Sequence, residues 1–166
     1  MKKIIKGILY ILIGLFIVAQ FIPRNNNNIG NAITPSSLES THQVPKEVAG
    51  ILQQSCYDCH SNHTEYPWYS QIQPVSWWLN HHVEEGKQEL NFSEFNNYSL
   101  RRQYHKLEEV AEQVEEDEMP LGSYTLIHQN AKLSSEQARL LASWANSLRD
   151  SFQTVYPKDS LVRKRR

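Results

Sequence analysis

Residues 56–60 read Cys56-Tyr57-Asp58-Cys59-His60, and Cys56 and Cys59 are the only cysteines among 166 residues. Cys-x-x-Cys-His is the attachment signature of a c-type haem. Two thiols add across the porphyrin vinyl groups, and the adjacent imidazole ligates the iron. Cysteines three positions apart on a helical turn project to one side, so the next residue can bring its ring beneath the metal. The pentad therefore predicts one covalently attached haem c at Cys56 and Cys59, with His60 as its proximal iron ligand. Two other chemistries compete for these residues. Zinc would take Cys56, Cys59, His60 and His63, with its last two ligands set immediately against the first two, unlike the usual separated pairs. A redox dithiol of the thioredoxin kind needs a βαβ setting, whereas the flanking residues read as helix.

Outward from the pentad the pattern is helical. Pro45 stands at the first turn of a helix with apolar Val48, Ile51 and Leu52, running straight into Cys56. Pro74 opens a second, with Val75, Trp78, Leu79, His82 and Val83 on one face, ending near Gly86. A third, over about residues 100–117, stacks Leu107, Val110, Ala111 and Val114. The last begins behind Ser134, whose N-cap role is supported by Gln137 three residues on. Leu141, Trp144, Ala145 and Leu148 then follow at i, i+3, i+4 and i+7. No stretch of four residues alternates, so the fold class is all-α. Trp78 and Trp144 fall on apolar stripes and read as core; Trp77 reads as surface. About 105 residues bury only a modest apolar core, and a held macrocycle would supply part of what is missing.

The opposite face of the iron has three candidate occupants. Met119 is the only methionine besides Met1, and Pro120 disfavours the α conformation before it, so the third helix should stop there and leave the thioether in an extended segment. A thioether opposite an imidazole raises the reduction potential. Met119 is the candidate distal ligand, with a gap-filling core methionine as the alternative reading. His128, after Leu126 and Ile127, is the alternative distal ligand or a supporting group. His63 sits too close to His60 in the chain, and His105 beside Lys106 reads as surface. An open sixth position would suit a haem-based sensor or peroxidase-like chemistry.

At the N-terminus, Lys2, Lys3 and Lys6 precede an uncharged run over residues 7–22, closed by Pro23 and Arg24. As helix that run spans about 24 Å, against a hydrocarbon core of roughly 30 Å. It exceeds a usual signal-peptide core and lacks a small-x-small cleavage site, so residues 1–23 read as a transmembrane signal-anchor. The lysines place the N-terminus in the cytoplasm. The expected location is the inner membrane, single-pass, with the C-terminal domain in the periplasm. Residues 24–44, with four consecutive asparagines, read as a flexible tether, residues 45–150 as the haem domain and residues 151–166 as a basic tail.

The net charge of −1 hides an acidic body: residues 25–150 hold eight Lys or Arg against 17 Asp or Glu. That excludes a nucleic-acid partner. The acidic run over 108–118 reads as a solvated face, or as a rim that steers a basic redox partner. No nucleophile–base pair and no glycine-rich phosphate loop points to an enzyme.

A helix leading into Cys-x-x-Cys-His, an isolated Met-Pro and a capped closing helix is also the layout of class I cytochromes c. More closely, CYDCHSNHTEYPWYSQIQPVSWWLNHHVEEGKQELNFSEF from Cys56, with EMPLGSYTLIHQNAKLSSEQARLLASWA further on, resembles the bacterial membrane-anchored haem-binding domain family. The resemblance covers about residues 44–149, and the segments Tyr66-Pro67-Trp68-Tyr69 and Pro74-Val75-Ser76-Trp77-Trp78 narrow it to that family. It implies a cytochrome c-like helical domain preceded by one transmembrane helix. By position it implies covalent haem at Cys56 and Cys59, with His60 proximal and Met119 distal. Single-electron transfer is the function expected, with the cytochrome c maturation machinery as loading partner. Fifty-eight residues separate His60 from Met119, more than in compact cytochromes c, so extra structure must wrap the macrocycle.

Overall fold

The four apolar stripes become helices. The computed structural model describes residues 1–24 and 26–162; among them every regular element is helical and no strand occurs. The α-helices are α1 (Lys2–Ala19), α2 (Leu38–Thr41), α3 (Lys46–Ser55), α4 (Tyr57–His60), α5 (Val75–Glu89), α6 (Leu100–Glu115), α7 (Gly122–Thr125), α8 (Ser135–Val155) and α9 (Lys158–Leu161). Short 3-10 turns lie at Trp68–Gln71, Phe92–Asn97 and Gln129–Ala131.

The core sits where α3, α6 and α8 meet. Val48, Leu52, Leu107, Leu141, Ala142 and Ala145 are fully buried there. Arg149 of α8 donates to Glu108 of α6, and the Gln153 amide, one turn further along α8, donates to the Tyr104 hydroxyl, one turn back along α6. The two helices therefore run antiparallel, and the Arg149 guanidinium lies over the Tyr104 ring at 4.4 Å. The capping box at the head of α8 forms as expected: the Ser134 hydroxyl accepts from Gln137 N, and the Gln137 side chain accepts from Ser134 N.

Helix α6 ends by a different device from the one expected. Glu118 N and Met119 N both donate to Gln113 O, at 3.0 and 3.1 Å, with Asp117 in the left-handed region at φ 59°. This is a Schellman-type stop with an aspartate where glycine is usual. Asp117 also adds negative charge to a helix end that already repels it. Asp117→Gly is expected to raise stability by about 1 kcal/mol, by removing both penalties. A higher urea midpoint with an unchanged slope is the result to look for.

Three expectations fail. First, no helix among the described residues is long and apolar enough to cross a membrane. Helix α1 starts on its lysines and stops at Ala19, so its uncharged part, residues 7–19, reaches only about 20 Å. The transmembrane anchor is corrected on this ground, and the single-pass inner-membrane, periplasm-facing placement with it. Second, residues 26–41 are packed against the domain. Ser37 and Leu38 are fully buried, Asn27 Nδ2 donates to Asn80 O at 2.8 Å, and the Thr34 hydroxyl donates to Ser93 O. Third, the fold continues past residue 150: Phe152 and Leu161 are in the core, and Arg101 Nη2 donates to Asp159 O. The terminal Arg163-Lys164-Arg165-Arg166, like Asn25, lies outside the described residues.

Candidate functional site

Helix α3 does not run smoothly into the pentad. Cys56 takes φ −122° and ψ −39°, breaking the helix, while its N–H still donates to Leu52 O at 2.9 Å. Tyr57–His60 then forms one turn, with Cys59 N and His60 N both donating to Cys56 O. The two thiols are not bonded to each other. Burial, reinforced by their mutual repulsion, pushes the Cys56 thiol up to about 12. Burial, with the Asp58 charge adding to it, pushes Cys59 up to about 11. Both therefore stay protonated at neutral pH and are poor nucleophiles on their own.

The state of His60 follows from its partners. Nδ1 lies 2.9 Å from Gly86 O and 2.9 Å from Leu90 O. Carbonyl oxygens only accept, so Nδ1 carries the hydrogen and donates, and Nε2 keeps its lone pair. Burial lowers the His60 pKa, the two backbone hydrogen bonds opposing it only in part, so the ring is neutral at physiological pH. A neutral imidazole fixed through Nδ1–H is the form that ligates a metal through Nε2. The His60 and Phe92 rings meet in a T-shape, with centroids 6.4 Å apart.

Both carbonyls come from the C-terminal end of α5. That end can approach only because residue 86 is glycine: an added Cβ would lie 2.8 Å from Cys59 O and 3.1 Å from Cys59 Cβ. Gly86 is thus not the helix stop that the sequence reading made it. The helix passes through it and ends at Glu89.

His60 opens onto a cleft of about 480 Å³ between the pentad, α6 and α8. Leu90, Phe92, Val110, Val114, Leu133 and Leu141 form apolar walls, and Cys56, His60 and Met119 also line it. Glu89, His105, Lys106, Glu109 and Glu112 also line it. Lys106 is buried between Glu89 and Glu109, at 3.2 and 2.6 Å. The cleft falls within the size of sites that bury a cofactor. An unprotonated imidazole nitrogen, a thioether and a thiol on one apolar slot match a flat, apolar iron macrocycle.

Not every predicted residue is brought there. Cys59 sits beside Cys56 but is not part of the cleft lining. His128 is outside it: Nε2 is hydrogen-bonded to the Tyr69 hydroxyl at 2.5 Å, and the ring stacks on Tyr124 at 4.4 Å. Among the described residues no three His, Cys, Asp or Glu side chains gather to hold a metal ion, so His63 does not complete a zinc set. Trp77 and Trp78 are 44% and 45% exposed; Trp78 is not the core residue expected, because α5 buries Ser76, Leu79 and Val83 instead. In the acidic run, Glu108 and Glu109 are ion-paired, while residues 115–118 are exposed.

The sequence reading missed Asp58 and Tyr124. The Tyr124 hydroxyl donates to Asp58 Oδ2 at 2.6 Å, and Glu65 N donates to Asp58 Oδ1. Burial first, and then that bond, push the Tyr124 phenol far above its usual range. Only its place between the two cysteines marked Asp58, and nothing local marked Tyr124.

The family model described as a haem-binding domain matches residues 14–147, and the chain belongs to that family. No curated protein and no solved structure matches.

Proposed function

We propose that this haem-binding domain carries one haem c, joined by thioether bonds to Cys56 and Cys59 and ligated by His60 and Met119, and that it passes single electrons. Haem binding follows from the family; the covalent bonds, the ligand pair and the electron-carrier role are our reading. The observation that carries it is the His60 ring, neutral, anchored through Nδ1–H and presented to the apolar cleft that Met119 also lines. When bound, the haem supplies a reversible one-electron couple. The chain's own part is to exclude water with Leu90, Phe92, Leu133 and Leu141, to fix the imidazole, and to hold the thioether of Met119 at the end of α6. For loading, the cytochrome c maturation machinery is the partner we propose.

Protein produced with that machinery should give a pyridine haemochrome spectrum of haem c that survives acid extraction. Cys56→Ala/Cys59→Ala should lose it, and persistence of the spectrum in the double variant would sink the covalent reading. The ferric protein should show the methionine-to-iron charge-transfer band, absent from Met119→Ala. Rapid carbon monoxide binding by the reduced wild type would instead point to a labile sixth position and a sensor or peroxidase-like role.

The exposed acidic stretch over residues 115–118 adjoins Met119, so a basic redox protein is the partner we propose. Electron exchange with such a protein should slow as salt rises, since exposed charges are screened beyond about 10 Å at 0.1 M. A rate indifferent to salt would remove the acidic rim from the account.

A further inference from the structure

The pentad has a second set of contacts that ligation does not use. From Asp58, which is bonded to Cys59, an unbroken line of rings leads to the surface. The Tyr124 hydroxyl reaches Asp58 Oδ2 at 2.6 Å. Tyr124 stacks on His128, with centroids 4.4 Å apart and planes 16° from parallel. His128 Nε2 is hydrogen-bonded to the Tyr69 hydroxyl, with ring centroids 6.0 Å apart. Tyr69 meets Trp68 edge-on at 5.9 Å, and Trp68 is 77% exposed. After the hydrogen bond to Asp58, each ring-to-ring step is a direct aromatic contact.

We propose that Tyr124, His128, Tyr69 and Trp68 form a one-electron conduit between the haem at the pentad and the surface at Trp68. The inference rests on the electron-carrier reading above and adds the route. With a reduced haem held at the pentad, these four side chains would carry one electron to a one-electron acceptor in contact with Trp68; the haem would be oxidised and the acceptor reduced, with no bond formed or broken and no proton leaving the chain. The indole at the end of the line explains an otherwise odd exposure: a large apolar ring held in water beside a tyrosine and histidine pair that is tied down. Leu126 and Ile127, just before His128, are exposed as well, at 78% and 60%. The other exposed tryptophans do not share this property. Trp78 packs on His82, and His82 on His81, and among the described residues that line of rings does not reach the pentad.

The test uses the full chain carrying its haem, reduced, with a laser-generated ruthenium(III) polypyridyl complex as the one-electron oxidant. The rate of haem oxidation is read from the visible band. Trp68→Leu and Tyr124→Leu should each slow it by about tenfold, while Trp78→Leu should leave it at the wild-type rate. Tyr124→Phe keeps the stacked ring and removes only the hydroxyl, so it should slow oxidation less than Tyr124→Leu does, and it guards against misfolding of the larger change. Wild-type rates in both Trp68→Leu and Tyr124→Phe overturn the conduit and send the electron out through the cleft mouth. A wild-type chain that carries no covalent haem overturns the electron-carrier reading itself, a failure visible before any flash is fired.

Discussion

Gly86→Ala should destabilise the protein by about 2 kcal/mol and lower its haem content. Two effects of opposite sign meet at this position. In the interior of α5, alanine is the better helix former by about 1 kcal/mol. Against that, its Cβ would sit 2.8 Å from Cys59 O, a backbone atom that no side-chain rotation can move aside. Forcing a methyl into such a contact costs about 3 kcal/mol when the elements can part slightly. Here parting them also withdraws the Gly86 and Leu90 carbonyls from His60 Nδ1, so the clash decides the sign. Gly50→Ala is the matched control: Gly50 lies inside α3 with no atom within 4 Å of an added Cβ, and the substitution should be neutral or stabilising. Thermal melts of the two variants, with haem content measured alongside, give the comparison. A Gly86→Ala protein that melts and loads like the wild type would show that α4 and α5 do not pack this closely.

The second large effect belongs to His60. Covalent attachment would mask a lost ligand, so the measurement belongs in the Cys56→Ala/Cys59→Ala background, where added haem binds reversibly. Removing a group that merely orients a ligand typically weakens metal binding by 10–100-fold. If His60 is the ligand we propose, the loss in His60→Ala should exceed about 100-fold by the same scale. Added imidazole should recover part of the ligated spectrum, because the cavity left beside the Gly86 and Leu90 carbonyls is shaped for that ring. Equal haem affinity in the parent and in His60→Ala would remove His60 from the iron.

The sequence was readable wherever one residue's chemistry is local. The stripes Val48–Ile51–Leu52 and Leu107–Ala111–Val114 became the core because a helix repeats its face every three or four residues. Ser134 and Gln137 capped α8 because both partners lie within one turn. The pentad's local geometry is compact for the same reason, Tyr57–His60 forming one helical turn behind Cys56. What stayed hidden was contact between distant segments. Gly86 looks like a terminator until Cys59, 27 positions earlier, is seen against it. His128 looked like a spare ligand until Tyr69 and Tyr124 were found on either side of it. Hydropathy alone overextended α1, because the apolar run continues to Ile22 while the helix ends at Ala19. The asparagine run misled in the other direction: polar composition argued for a free tether, yet the Asn27 and Asn28 amides bond to backbone groups far along the chain.

That last feature governs where the polypeptide can be cut. Asn28 Oδ1 accepts from Thr64 N and Asn28 Nδ2 donates to Thr64 O, while the Thr64 hydroxyl donates to Asp58 O inside the pentad. Scissors applied at the apparent domain edge, near residue 44, would strip this brace from the attachment turn and empty the slot that Leu38 fills completely. A workable fragment has to start ahead of Asn26, so the stretch that reads as packaging travels with the cofactor.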